Sequence, residues 1–181
     1  MFEAPTITVV GHALGAALAL LDAVYLKVQL GSSVNIQMVG YGMPRVGNDH
    51  FADWVDGNLA VDGNLNGLVT RINNKEDPVP TVPPLYEDFH HVSGEVHITD
   101  SGTWESCSGK LFSSWSSPRP VCGHVCFVFR MLTRARGSLL IAGQDNGDLR
   151  CSGGDVPNVS EGNKSDNDGP YNGIMMGCGA N

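Results

Sequence analysis

Apolar and polar positions follow two different periods along the first 74 residues. The stretch "TITVV", Thr6 to Val10, is β-branched and closes on Gly11, the pattern of a short, fully buried strand. Leu14, Leu18, Leu21, Tyr25 and Val28 then recur at intervals of three and four, which predicts a helix ending near Gly31. A second strand is expected over Val34–Gly42, a helix over Asn48–Gly57, and a third strand over Gly67–Asn74. Strands alternating with helices predict an α/β layer built on a mainly parallel sheet. Beyond Asn74 the texture changes: "KEDPVPTVPP" carries four prolines, and "HHVSGEVHITD" contains an expected edge strand. From Gly143 onward Gly, Asp, Asn and Ser predict turns.

A parallel sheet presents the C-terminal ends of its strands to a crevice, so chemistry is sought in the turn Gly11–Gly15, the turn after the third strand, and a late loop. The first of these reads "VVGHALGAA". With Ser at its centre it would be a G-x-S-x-G nucleophile elbow, in which the two glycines allow close helix–strand packing around a strained central residue. The residue there is Ala13. The backbone N–H of Leu14, at the helix N-terminus, would face a developing oxyanion. The pattern alone favours a plain glycine-rich turn. Asp77, after the third strand and before Pro78, is placed to accept a hydrogen bond from an imidazole N–H, although spacing alone favours a solvated turn carboxylate.

Composition narrows the function classes. With 181 residues, 41% of them hydrophobic, the chain suits one globular domain. A net charge of −8 with only 11 basic residues gives no surface for phosphate backbones, which argues against nucleic acid as a partner. No apolar run reaches the roughly 20 residues of a transmembrane segment. "MFEAPTITVV" lacks a basic leader region, so no signal peptide is expected. Two Asn-x-Ser sequons, at Asn158 and Asn163, point instead toward a secreted context, and the compartment stays open. The cysteines are five: Cys107, Cys122, Cys126, Cys151 and Cys178. Cys122, His124 and Cys126 supply three ligands with no second pair at metal-site spacing, so no metal and no cofactor is assigned.

Five blocks in order, "ITVVGHALGAALALLDAVYL", "GYGMPRVGNDHFADWVD", "VTRINNKEDPVPTVPP", "FHHVSGEVHI" and "DGPYNGIMMGC", resemble the fungal-type triacylglycerol lipases, also called class 3 lipases. The resemblance covers Thr6 to about Gly109 and Gly143 to Cys178. It implies an α/β-hydrolase fold with Ser, Asp and His in that chain order, acting on lipid esters, with a lipid–water interface as a possible setting. The nucleophile position falls on Ala13, the acid on Asp77, the His position on Asn167 and the oxyanion N–H on Leu14. A methyl group cannot attack an ester, and a neutral amide cannot shuttle a proton near pH 7. A deliberate Ser→Ala trap would account for Ala13 but not for Asn167. None of His12, His50, His90, His91 or His97 is a persuasive replacement base; His12 is expected to point away from the reacting centre, and His90 and His91 to be structural. The resemblance pairs Cys107 with Cys151 and leaves Cys178 without its family partner.

The resemblance also implies that strands, a lid and a second oxyanion donor carried by the family before the elbow are absent, giving a single, partial α/β-hydrolase domain over residues 1–181. It breaks over Lys110–Ala142, a stretch with five of the 11 basic residues and two of the five cysteines. Its edges match the ends of a translated intron; the competing account is a basic, apolar hairpin used for membrane contact. Three functions follow as alternatives: an active esterase, a non-catalytic acyl-binding protein, or a fragment with no independent function. The paired loss at 13 and 167 favours a catalytically inactive, lipase-like chain.

Overall fold

The computed structural model describes residues 4–59, 69–107 and 151–176. The stretch Lys110–Ala142, with Cys122 and Cys126, and the C-terminal Cys178 lie outside the described residues. The chain runs β1 (Thr6–His12), α1 (Leu14–Leu30), β2 (Asn35–Tyr41), α2 (Asp49–Asn58), β3 (Val69–Asn74), β4 (Glu95–Ile98), β5 (Trp104–Ser106) and the helical turn α3 (Ser152–Asp155). Short 3-10 turns follow β3 at Val79–Thr81 and Leu85–Glu87, and a last one spans Lys164–Asn167.

The strands form one sheet in the order β1-β2-β3-β4-β5, with parallel pairing from β1 to β4 and an antiparallel β5. This is the α/β layer that the alternation of periods predicted, and β2, α2 and β3 begin within two residues of their expected starts. Side chains alternate between the two faces of each strand. Val9, Ile36, Met38 and Val69 face α1 and α2 and build one core with Ala16, Ala19, Leu20, Ala23, Ala52 and Val55. The opposite face carries a second, smaller core of Val39, Tyr41, Ile72 and Ile98, closed by Tyr171 from the C-terminal segment. The helices therefore lie on one side, and the segment bearing Asn167 and Tyr171 on the other.

Two sequence expectations are corrected, and the core face of α1, which the sequence left open, is decided. Thr6–Val10 was expected to be fully buried, yet among the described strands β1 pairs only with β2, and most of its residues are exposed. The expected edge strand in "HHVSGEVHITD" is β4, which is interior because β5 pairs along its far side. The helical stripe Leu14, Leu18, Leu21, Tyr25 and Val28 is 45% to 71% exposed. At about 100° per residue the buried set Ala16, Ala19, Leu20 and Ala23 lies on the opposite side of α1. Small side chains let the helix seat closely on the sheet, so α1 is apolar on both faces and its alanine face takes the core.

Local signals end the helices as read. Gly31, at φ 60°, stops α1 with its N–H on the Lys27 carbonyl at 2.9 Å. Asn48 caps α2 by accepting the Phe51 N–H at 3.0 Å.

The disulfide Cys107–Cys151, with Cα atoms 5.9 Å apart, ties the end of β5 to the start of α3. Beside it lies a buried polar cluster on the helix side of the sheet. Arg71 pairs with Glu95 at 3.3 Å, and Glu95 accepts the Ser152 N–H at 2.9 Å. Burial pushes the Glu95 carboxyl up, but the Arg71 guanidinium and the Ser152 bonds outweigh it and hold the group below its ordinary value. His97 shares a 3.1 Å hydrogen bond with the Ser152 hydroxyl and lies 3.5 Å from Asp155.

Two outcomes are expected in denaturant unfolding. The disulfide closes a separation of 44 residues, for which the chain-entropy model gives about 4 kcal/mol; the Cys107→Ser/Cys151→Ser protein should lose stability on that scale. A Cβ at Gly11 would meet the Gly15 carbonyl oxygen at 2.2 Å, whereas one at Gly15 meets nothing within 4 Å. Gly11→Ala should cost at least about 2 kcal/mol, while Gly15→Ala should be neutral or stabilising by up to about 1 kcal/mol.

Candidate functional site

The turn from β1 into α1 has the tight geometry that its glycines foretold, with the two playing unequal parts. Gly11 lies beneath the helix start, where its missing side chain admits the Gly15 carbonyl. Ala13 stands between strand and helix at φ 50°, ψ −125°, a conformation that costs a residue with a Cβ about 1–3 kcal/mol. It is held there by its N–H, which donates to the Tyr41 carbonyl at 2.9 Å, and by its own carbonyl, which accepts from Ala16 at 2.9 Å. Leu14, the first residue of α1, has a backbone N–H with no intrahelical acceptor, and its side chain is exposed.

At the end of β2 the chain turns through Gly42, at φ 53°. A Cβ there would lie 2.3 Å from Asn167 Nδ2, 2.7 Å from Asp77 Oδ2 and 2.9 Å from the Tyr171 hydroxyl. Gly42 thus leaves room for the contact behind it: Asn167 Nδ2 donates to Asp77 Oδ2 at 2.9 Å, with both residues buried. Asp77 is fixed further by the Val79 N–H, which donates to Oδ1 at 2.9 Å. The Asn167 carbonyl accepts from His12 Nε2 at 2.7 Å and from the Tyr171 hydroxyl at 3.1 Å. Asn74 Nδ2 holds the preceding carbonyl of Asp166 at 3.0 Å.

Asp77 and Asn167, 90 residues apart in the chain, are therefore in direct contact. Ala13 reaches their surroundings through the Tyr41 carbonyl and the neighbouring Gly42. His12, expected to turn away, instead belongs to this side of the sheet. Alternation sends Gly11 toward α1 and His12 toward Asn167 and Tyr171, whose ring meets the imidazole edge-on at 6.3 Å.

The class 3 lipase profile matches residues 2–87, a stretch that contains the whole β1–α1–β2–α2–β3 unit and Asp77. That stretch, just under half of the chain, is similar to the class 3 lipases. A secreted mono- and diacylglycerol lipase of Gibberella zeae is 43% identical over 96 residues, covering 51% of this chain and 23% of that protein. A secreted mono- and diacylglycerol lipase of Malassezia restricta is 35% identical over 111 residues, covering 60% and 35%. Among solved structures, the Lip2 lipase from Yarrowia lipolytica is 34% identical with a TM-score of 0.48, covering 57% of this chain and 38% of that one. The chain spans between about a quarter and a third of the length of the curated relatives it matches.

The Asp77–Asn167 pair has a distinctive electrostatic state. Burial raises the Asp77 carboxyl to about 6, the hydrogen bonds from Asn167 and Val79 offsetting only part of the desolvation. Burial, with Asp77 close by, raises the Tyr171 phenol, so it stays protonated and serves as a donor.

The other histidines have separate duties. His91 is buried and its Nε2 donates to the Pro80 carbonyl at 2.7 Å; burial drives it well below its ordinary value, so it is neutral and structural, as expected. His90 lies 3.9 Å from Asp88, and exposed His50 lies 3.9 Å from Asp49. No cluster of three metal-ligating side chains occurs among the described residues, and none of their helices is long and apolar enough to cross a membrane. Sequence reasoning missed Gly42, Tyr171 and the inward role of His12. Only the "GYG" turn after β2 hinted at the first.

A raised carboxyl fixes the sign of a pH effect. Between its unfolded value near 3.8 and its folded value near 6, Asp77 binds more proton in the folded state, so its contribution is fullest below 3.8 and is lost as pH rises through 6. Asp77→Asn removes the buried charge, and the Asn167 amide can flip to accept from it. The variant should be more stable than the parent at pH 8, by about 3 kcal/mol, and should lose most of that advantage by pH 4.5. Thermal unfolding at both values checks this.

Proposed function

We propose that this protein is a lipase-fold chain that has kept an elbow and a triad acid but performs no ester hydrolysis. Ala13 occupies the nucleophile position, Asn167 that of the base and Asp77 that of the acid, and the Leu14 N–H is the oxyanion donor. The observation that carries this reading is the 2.9 Å bond from Asn167 Nδ2 to Asp77 Oδ2. An imidazole N–H in that seat would be oriented by the carboxylate and would present its second nitrogen to a nucleophile. The amide donates to the carboxylate in the same way and then stops, because it has no second site that takes up a proton near neutral pH.

The methyl of Ala13 offers no lone pair, so no covalent acyl intermediate forms even with a base restored. Loss of a nucleophile or base in such a triad costs about a million-fold in turnover, and loss of both costs little more because they act as a unit. The substrate class toward which the elbow is built is an acylglycerol ester, inferred from relatives described as mono- and diacylglycerol lipases. What remains is a backbone donor at the start of α1 beside the exposed apolar side chain of Leu14, which suits binding of an acyl ester without cleaving it.

Purified protein should release no product above background from a p-nitrophenyl ester or a monoacylglycerol, with neither a burst nor steady turnover. Turnover in the parent chain that disappears in Asp77→Ala would overturn the proposal, since it would require a working triad acid.

A further inference from the structure

The segment between α3 and the last 3-10 turn carries both Asn-x-Ser sequons, and their side chains are arranged differently. At Asn158 the amide Nδ2 is committed to the Glu161 carboxylate, and the Ser160 hydroxyl reaches Asn158 Oδ1 at 3.4 Å. Asn158 also lines a cleft of about 600 Å³ with Val156, Pro157 and Val159. At Asn163 the same serine-to-Oδ1 contact is shorter and a backbone bond joins it. The Asn163 Oδ1 accepts both the Ser165 hydroxyl, at 2.7 Å, and the Ser165 backbone N–H, at 3.2 Å. Among the described residues its Nδ2 has no acceptor, and the residue is exposed.

We propose that Asn163 is an N-glycosylation site, modified when the chain passes through a secretory compartment. The Asn163 Nδ2 forms a bond to the anomeric carbon of an oligosaccharide carried on a polyprenyl pyrophosphate. The bond from that carbon to the pyrophosphate oxygen breaks, the pyrophosphate leaves with the electron pair, and the amide nitrogen gives up one proton. Two donors on Oδ1 draw electron density from the amide and fix it with Nδ2 outward, and the contacts span only two residues, so they form before the tertiary fold does. The Asn158 sequon lacks the backbone half of this turn.

The site has a consequence for the fold. Asn163 caps the 3-10 turn Lys164–Asn167, and its own N–H donates to the Glu76 carbonyl at 2.7 Å, next to Asp77. A glycan there stands beside the Asp77–Asn167 pair without displacing any bond that holds it. The inference does not depend on whether the chain hydrolyses esters.

The test expresses the full chain in yeast behind a cleavable leader that carries a control sequon to report translocation. Peptides are mapped by mass spectrometry after peptide-N-glycosidase treatment, which converts a glycosylated Asn to Asp. The parent should show conversion at Asn163, Asn163→Gln and Ser165→Ala should lose it, and Ser165→Thr should keep it. A glycan at Asn163, with or without one at Asn158, supports the proposal. A translocated chain with Asn163 unmodified, whether bare or modified at Asn158 alone, overturns it. Because transfer precedes folding, the result reads out even for a variant that folds poorly.

Discussion

The 2.2 Å that separates the position of a Gly11 Cβ from the Gly15 carbonyl is the constraint on which the rest of the site depends. A strand and a helix can be joined by one residue only if their backbones approach this closely. The closeness forces Ala13 to φ 50° and fixes the start of α1 against the sheet. Once Gly11 faces the helix, alternation sends His12 to the other side, where it holds the Asn167 carbonyl. A single steric requirement thus sets the direction of the elbow, the seat of the helix and one anchor of the distant C-terminal segment.

The C-terminal segment is held to the sheet on both of its faces. On the helix side, the disulfide joins Cys151 to Cys107 after β5, and Ser152 and Asp155 attach to the polar row formed by Glu95 and His97. On the other side, Asn167 and Tyr171 attach to Asp77, Gly42, His12 and Tyr41. The polar row is unusual in a position that α/β layers generally fill with aliphatics. It is tolerated because its acid and its base sit in adjacent parallel strands at matched register, Arg71 opposite Glu95. The resulting attachment keeps residues 90 positions apart within hydrogen-bond distance.

The Asp77–Asn167 contact also shows how a buried carboxyl is accommodated beside a neutral amide. A buried carboxyl left without a donor is strongly disfavoured, and an amide removes part of that cost without introducing a charge. The pair is consequently a structural element in its own right. Its residual expense is the raised carboxyl of Asp77, which hydrogen bonding reduces but does not cancel.

The sequence by itself determined the order and type of the principal elements, the helix stops, and the elbow, because these depend on local period, on caps and on glycines within a few residues of one another. It also named Asp77 and Asn167, and paired Cys107 with Cys151, through the order of the lipase-like blocks. It left open which side of α1 is core. A helix apolar all round carries no directional signal, and only the close seating of Ala16, Ala19 and Ala23 on the sheet chose the alanine face. Strand position was equally illegible, since a buried run and an edge run share one composition. β1 became an edge among the described strands and β4 became interior only when the pairing was made. Tertiary structure alone decided that His12, Gly42 and Tyr171 surround the Asp77–Asn167 pair, because their meeting requires a parallel sheet to bring several strand ends to one level.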